Sequence, residues 1–435
     1  MKPTSSKPSK FVLLPLFFTV FLDLVGLGIA IPSLAAVFLD AHVSILSPDT
    51  TFQMRTILYG LLVASFPIAQ FFGAPILGAL SDRHGRKPTL ILSLVGTFLG
   101  YVLFAVGIVL GNVPLLFLSR AIDGFTGGNL SIAMSSIADI SDDKEKGRNF
   151  GLIGMAFGLG FILGPYIGGK LSDPHVLGWF TTATPFWFAA FLTFINILLF
   201  FWLFTETLRT TIDTPISAFT GFRNLKKAFA LIHMRTILLV VFLLTLGFNF
   251  FTQFFQVFLI EKFQFSQGQI GDLFAYTGIW IALSQGVFNR PLSHKFAPGQ
   301  LLTSAAFFLA CTLPFLLVPT QAVYIYVITP FIAVFQGLTD PNATAVVSNL
   351  TDRDSQGEIM GIKQSIQSVA QALPPLIAGF LPILVGNVVP ADMTGTTHFL
   401  SISLPILLAS FFTFAAWGLY VFIFRRTTTE TFREV

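Results

Sequence analysis

Asp23, Arg120, Asp123, Asp340 and Lys363 each stand inside an apolar run of the length that crosses a bilayer. An ionised side chain at bilayer depth costs on the order of 3 kcal/mol, so each of these residues needs a reason to be there. Asp23 lies ~20 Å along a helix from the basic boundary near Lys10, and Arg120 lies ~9 Å from the opposite boundary near Pro114, which sets opposite charges at similar depth. Asp123, one turn beyond Arg120, is a second candidate partner for the guanidinium. A guanidinium facing two carboxylates is a workable proton switch, because protonating one of them changes which one holds the cation. The alternative is a structural Arg120–Asp123 pair, with Asp23 merely accepting backbone hydrogen bonds. Asp340 and Lys363 are expected nearer the cytoplasmic face, where Lys363 can extend its ammonium to the headgroups, and both read as structural.

Neutral polar stripes accompany these charges. Asn249, Gln253 and Gln256 share one helix face, Gln364, Gln367 and Gln371 share another, and Tyr276 stands four residues before Trp280. Such stripes either line a wet, substrate-binding cavity or hydrogen-bond between helices. A further cluster, Gly78, Asp82, Arg83, Gly85, Arg86 and Lys87, fills one short connection. Gly85 permits a tight turn there, and Asp82 can pair with the basic residues or with a helix N-terminus, giving a charged latch. Gly154, Gly158, Gly160, Gly164, Pro165, Gly168 and Gly169 crowd a single run, as expected where backbones approach closely, and contact between the two halves of the chain is the use expected for them.

The elements that must carry these residues follow from composition. The chain has 435 residues, of which 54% are hydrophobic and only 11% charged. Its mean hydropathy is +0.79. Too little polar surface exists to cover a water-soluble core, which excludes a soluble enzyme, a disordered chain and a nucleic-acid binder; the lone Cys311 excludes a disulfide scaffold. Apolar segments at 11–39, 56–80, 89–110, 114–139, 149–170, 185–205, 236–260, 270–289, 299–318, 321–345, 359–385 and 398–424 predict twelve transmembrane helices in an all-α membrane protein. Spans 3, 6, 9 and 12 carry no charge and are expected to face lipid all round. Basic residues concentrate on alternate connections and at both ends, including Lys2, Lys7, Lys10, Arg425, Arg426 and Arg433, with Arg55, Lys170 and Lys262 as exceptions. Both termini are therefore expected in the cytoplasm. The first run is too long for a signal peptide and lacks a small-residue cleavage site.

An internal repeat organises the spans. A shift of about 210 residues lays Gly147-Arg148-Asn149-Phe150-Gly151 on Gly357-Glu358-Ile359-Met360-Gly361, Asp142 on Asp352 and Gly127 on Gly337. Two pseudo-symmetric six-helix bundles are expected, at 1–205 and 236–435, joined by a cytoplasmic linker at 206–235.

These motifs resemble the major facilitator superfamily and, within it, the twelve-span drug:proton antiporters that include tetracycline exporters. Gly78 to Lys87 is similar to the family's loop 2–3 motif, Leu22 to Gly28 with Pro32 to its acidic span-1 motif, and Arg120 with Gly124 and Gly128 to its basic span-4 motif. Gly160 to Gly169 resembles the span-5 motif of exporters, and Phe204-Thr205-Glu206-Thr207 the end of span 6. The resemblance implies a major facilitator fold with Asp23 as the protonatable carboxylate, Arg120 as its partner, and Asp82, Arg83, Arg86 and Asp139 as a cytoplasmic charge relay. The second-half loop Asn289 to Lys295 lacks the Asp and the glycines, so the latch is expected on one side only.

No Gly-rich ATP-binding loop occurs, and the six histidines have no cysteine companions, so neither a cofactor nor a metal is expected. The expectation is a non-enzymatic, monomeric carrier in the bacterial inner membrane. Its partners are protons, a small amphipathic organic substrate and lipid. Export by alternating access is the leading reading, proton-coupled uptake of a small metabolite the second, and a channel or lipid scramblase the third.

Overall fold

The long apolar runs become long helices because a backbone surrounded by hydrocarbon must satisfy its own hydrogen bonds. The computed structural model describes residues 13–39, 44–140, 143–208, 219–230, 234–350, 356–388 and 394–424, and no strand occurs among them. Lys2, Lys7, Lys10, Asp142, Asp352, Arg425, Arg426 and Arg433 lie outside the described residues. The helices are α1 (Leu13–Leu39), α2 (Phe52–His84), α3 (Arg86–Val109), α4 (Val113–Thr126), α5 (Asn129–Ile140), α6 (Asp143–Ser172), α7 (Thr184–Leu203) and α8 (Thr220–Ala230). After these come α9 (Arg235–Phe263), α10 (Gln267–Leu283), α11 (Asn289–Lys295), α12 (Pro298–Thr312), α13 (Val323–Asn349), α14 (Gln356–Val388) and α15 (Thr394–Leu419).

Nine helices among the described residues are long and apolar enough to cross a membrane. The other predicted spans fall on α4 with α5, on α6 and on α10. Span 4 is interrupted at Gly127-Gly128, where Gln70 of α2 donates to the Gly127 carbonyl at 2.8 Å and satisfies an acceptor that the break leaves open. Asn112 caps α4 by accepting from Leu115 N at 3.0 Å, with Pro114 in the first turn. A reciprocal Ser266–Gln269 capping box starts α10.

Contacts divide the chain into two units. Unit 1 is Met1–Ser33 with Ile68–Thr220, and unit 2 is Leu34–Pro67 with Gly221–Val435. Unit 1 has a core of Leu16, Val20, Leu90, Leu94, Ile132 and Phe200, and unit 2 one of Ile237, Leu238, Leu302, Val347, Ile362 and Ala416. Within unit 1, α3 and α4 meet along glycines. A Cβ at Gly100 would come within 2.7 Å of Asp123 Cβ, and one at Gly107 within 2.6 Å of Leu116. Ser119 Oγ donates to Gly100 O at 2.8 Å across the same contact.

Two expectations change here. Three of the span-5 glycines pack against α1 inside unit 1: a Cβ at Gly160 would lie 2.6 Å from Leu24 Cβ, one at Gly164 2.8 Å from Gly28 Cα, and one at Gly168 2.6 Å from Ile29 O, whereas one at Gly158 would meet nothing within 4 Å. Pro165 closes the same contact opposite Gly28, and Gly169 is buried beside Gly168. Spans 3, 6, 9 and 12 do not face lipid all round. Helix α3 buries Thr97, Tyr101 and Phe104 while exposing Leu92, Val95 and Leu99, and α7 buries Asn196, which donates to Thr19 at 3.1 Å, while exposing Trp187, Phe191 and Phe194. Likewise α12 buries Leu302 and Leu309 but exposes Phe308, and α15 buries Ala409 and Thr413 but exposes Phe411. The absence of charge reports the cost of burial, whereas the helical period decides which face is buried.

Candidate functional site: buried charges and a capped charge relay in unit 1

The glycine contact between α3 and α4 carries Arg120 and Asp123 into the interior, where they are 3% and 4% exposed. Arg120 Nη2 lies 2.9 Å from Asp123 Oδ2, and its guanidinium sits over the Phe104 ring, with Cζ 5.0 Å from the centroid. Thr97 of α3 hydrogen-bonds Asp123. Asp23 of α1 faces Asn129 at the start of α5, yet neither Asp23 Oδ2 nor Asn129 Nδ2 finds a partner at hydrogen-bond geometry. Asp123 is close enough to interact electrostatically with Asp23. Tyr101 of α3 lies within electrostatic reach of Asp23, Arg120 and Asp123 together, and its hydroxyl occupies the space left by the missing side chain of Gly26.

The predicted proton-switch residues therefore gather in one unit, with Arg120 held by Asp123 and with Asp23 carrying a buried oxygen that has no partner. Thr97, Tyr101, Phe104 and Asn129 belong to the cluster but were not singled out from sequence.

A second cluster joins α2, α3, α5 and the segment after α7. Arg86 is 7% exposed; its Nη1 donates to Asp82 Oδ1 at 2.6 Å and Ser81 Oγ at 2.7 Å, and its Nε to Asp139 Oδ2 at 3.0 Å. One guanidinium thus ties two carboxylates from different helices, a fork geometry that a lysine lacks. Gly85 takes φ +106°, and a Cβ there would also lie 2.6 Å from Glu206 Oε2. Lys87 Nζ donates to Phe201 O at 2.9 Å, Arg83 is exposed on the last turn of α2, and a Cβ at Gly78 would meet nothing within 4 Å.

Glu206 is the residue here whose role sequence did not reveal. Its carboxylate accepts from Arg86 N at 2.9 Å and Lys87 N at 3.0 Å, the first amides of α3, and from Thr207 N and Leu208 N at 3.0 and 2.9 Å. A carboxylate on exposed helix amides caps the helix and opposes its dipole. Glu206→Ala is expected to lower stability by about 1 kcal/mol. A lower thermal-unfolding midpoint in detergent micelles would register this, and an unchanged midpoint would remove Glu206 from the cap.

The second-half stripes are placed in unit 2, where part of them bonds between helices. Tyr59 Oη of α2 donates to Gln253 O at 2.6 Å and accepts from Gln256 Nε2 at 2.6 Å. Gln253 Nε2 donates to Asn249 Oδ1 at 3.0 Å and Gln371 O at 3.4 Å. Gln253 Oε1 and Gln256 Oε1 are buried without a partner. Tyr276 contacts Trp280 and Tyr326, with ring centroids 6.3 and 5.9 Å apart, while Gln364 is exposed and Gln367 half-buried on α14.

Similar proteins agree with this architecture. The tetracycline resistance protein of class C from Escherichia coli is 31% identical over 360 residues, which cover 82% of this chain and 86% of that protein. Two solved structures share the fold. The human organic anion transporter MFSD10 matches with a TM-score of 0.68 at 22% identity, covering 95% of this chain and all of that one. A D-xylose–proton symporter matches with a TM-score of 0.73 at 17% identity, covering 93% of this chain and 97% of that one. Residues 16–375 match the Major Facilitator Superfamily, to which this chain belongs as an integral membrane transporter and not an enzyme.

Proposed function

We propose that the protein exports a small amphipathic organic compound in exchange for protons. The observation that carries this reading is the buried cluster in which Arg120 pairs with Asp123, Asp123 acts on Asp23, and Tyr101 lies within electrostatic reach of all three. Protonation of Asp23 leaves Arg120 to Asp123, and loss of that proton gives the guanidinium a second anion to approach, so proton binding selects between two local arrangements. Alternating access of two six-helix bundles, 1–205 and 236–435, converts that choice into transport. The 206–235 segment links them, both termini lie in the cytoplasm, and a monomer in the bacterial inner membrane suffices. Asp82, Arg83, Arg86, Lys87 and Asp139 act as the cytoplasmic gate, with Gly78 and Gly85 shaping its turn. Asn249, Gln253, Gln256, Tyr276, Trp280, Gln364 and Gln367 supply substrate contacts. The similarity to a tetracycline resistance protein favours export. Uptake with protons is the second reading, and the shared fold with a sugar–proton symporter is what favours it.

Vesicles of known orientation test the direction. Everted vesicles with an acidic lumen are expected to take up drugs from a panel of tetracyclines and dyes, and to stop when the pH gradient is collapsed. Accumulation instead by right-side-out vesicles, together with protons moving inward, would establish uptake.

A further inference from the structure

Lys363 is a buried cation in unit 2 that the proton cluster does not use. It lies on α14, seven residues after Gln356 and so roughly 10 Å along the helix, and is 9% exposed. A lysine at a membrane helix end ordinarily extends its ammonium toward the headgroups. Lys363 instead donates from Nζ to Thr344 Oγ1 of α13 at 2.6 Å, and that hydroxyl donates onward to Asp340 O at 3.0 Å. Ile362 and Ile366 on its own helix, with Val346 and Val347 of α13, belong to the apolar core beside it.

Among the described residues no carboxylate lies within ion-pair distance of this ammonium. Asp340, one turn before Thr344, is exposed and makes no ion pair with it. The contrast with unit 1 is direct, since Arg86 and Arg120 are each buried against carboxylates. A charge kept buried against a neutral hydroxyl is unfavourable unless something else compensates it. An ammonium has three N–H donors, and Thr344 takes one. Gln367, one turn further along the same helix, is half-buried, and no other partner of Lys363 occurs among the described residues.

We infer that Lys363 with Thr344 is an anion-recognition point, and that the transported compound carries a carboxylate or sulfonate on an apolar scaffold. This rests on the transporter reading above and names the substrate class for it. The charge compensated on binding belongs to the substrate, while the unit 1 cluster handles the proton.

Two dyes with one ring system separate the possibilities: anionic 6-carboxyfluorescein and cationic rhodamine 6G, each offered to the full-length protein in phosphatidylcholine vesicles under an imposed pH gradient. The wild type is expected to bind and carry 6-carboxyfluorescein. Lys363→Gln should weaken that binding about tenfold or more, while Lys363→Arg should keep it within about threefold, because a charged hydrogen bond is lost in one and kept in the other. Thr344→Val, which leaves the ammonium in place, should give a smaller loss and serves as the comparison if Lys363→Gln does not assemble. Equal 6-carboxyfluorescein affinity in the wild type and Lys363→Gln overturns the assignment. Transport of rhodamine 6G without binding of 6-carboxyfluorescein overturns it too, while leaving proton-coupled export standing. Movement of neither dye overturns both. If phosphatidylglycerol raises the thermal midpoint of the wild type but not of Lys363→Gln, and 6-carboxyfluorescein does not, the anion is a lipid phosphate and the substrate assignment falls.

Discussion

Asp23→Asn is expected to reduce pH-driven export to the rate of protein-free vesicles while sparing exchange of substrate down its own gradient. Asparagine matches aspartate in shape and cannot titrate, so the change isolates the proton from the packing. Helix α1 is fixed by its backbone contacts with Gly160, Gly164 and Gly168 of α6, none of which involves the carboxylate. The fold should therefore persist, with a thermal-unfolding midpoint close to that of the wild type. Asp23 Oδ2 has no hydrogen-bond partner, and the groups acting on this carboxylate are the Asn129 amide and the like-charged Asp123, so the ionised form has little to hold it. Asp23→Glu, which titrates but reaches further, should retain part of the coupled rate. The measurement is substrate flux in reconstituted vesicles with and without a pH gradient. Coupled flux at wild-type level in Asp23→Asn would move the switch elsewhere, with Asp123 the next residue to examine.

Removing the Arg86 guanidinium should produce the larger structural effect. Arg86→Ala leaves Asp82 and Asp139 facing each other without the cation that now lies 2.6 and 3.0 Å from them, and strips Ser81 of its donor. Breaking a fully buried pair costs about 3–5 kcal/mol. The Asp82 and Asp139 side chains are 32% and 24% exposed, so water recovers part of that loss and about 2 kcal/mol is expected here. Arg86→Lys should recover only part of it, because one ammonium cannot match the fork that reaches both carboxylates. A double variant, Arg86→Ala with Asp139→Asn, should be less destabilised than the sum of its single changes, since the repulsion is then removed as well. Thermal unfolding in micelles reads all three, with efflux measured on the same preparations. A strictly additive double variant would show that Asp139 and Arg86 do not act together.

The two sites were legible to different degrees. In the Gly78 to Lys87 connection, the residues that interact are close in sequence, and Asp82 meets Arg86 four positions later on the same turn of chain. Spacing alone is enough there. Asp139 and Glu206 join from 53 and 120 residues beyond Arg86, and only folding brings them in. Glu206 was visible as part of the span-6 ending, yet its task as the cap of α3 depends on where α7 stops. Tyr101 is the clearest omission. In sequence it is one aromatic residue in an uncharged span expected to face lipid, but in the structure it lies near Asp23, Arg120 and Asp123 at once.

Sequence by itself determined the solvent, the helical class and the family. It marked Arg120, Asp123 and Lys363 as charges to be buried but also Asp340, which is exposed, because the free energy of transfer to a bilayer accumulates along a local run of residues whatever face each one takes. Tertiary structure alone decided the partners: Arg120 with Asp123, the span-5 glycines with α1, Gln256 with Tyr59, and Lys363 with Thr344. Those pairings depend on the rotation and register of each helix against its neighbours. Close approach of small residues such as Gly100 and Gly164 sets both, and hydropathy carries no record of it.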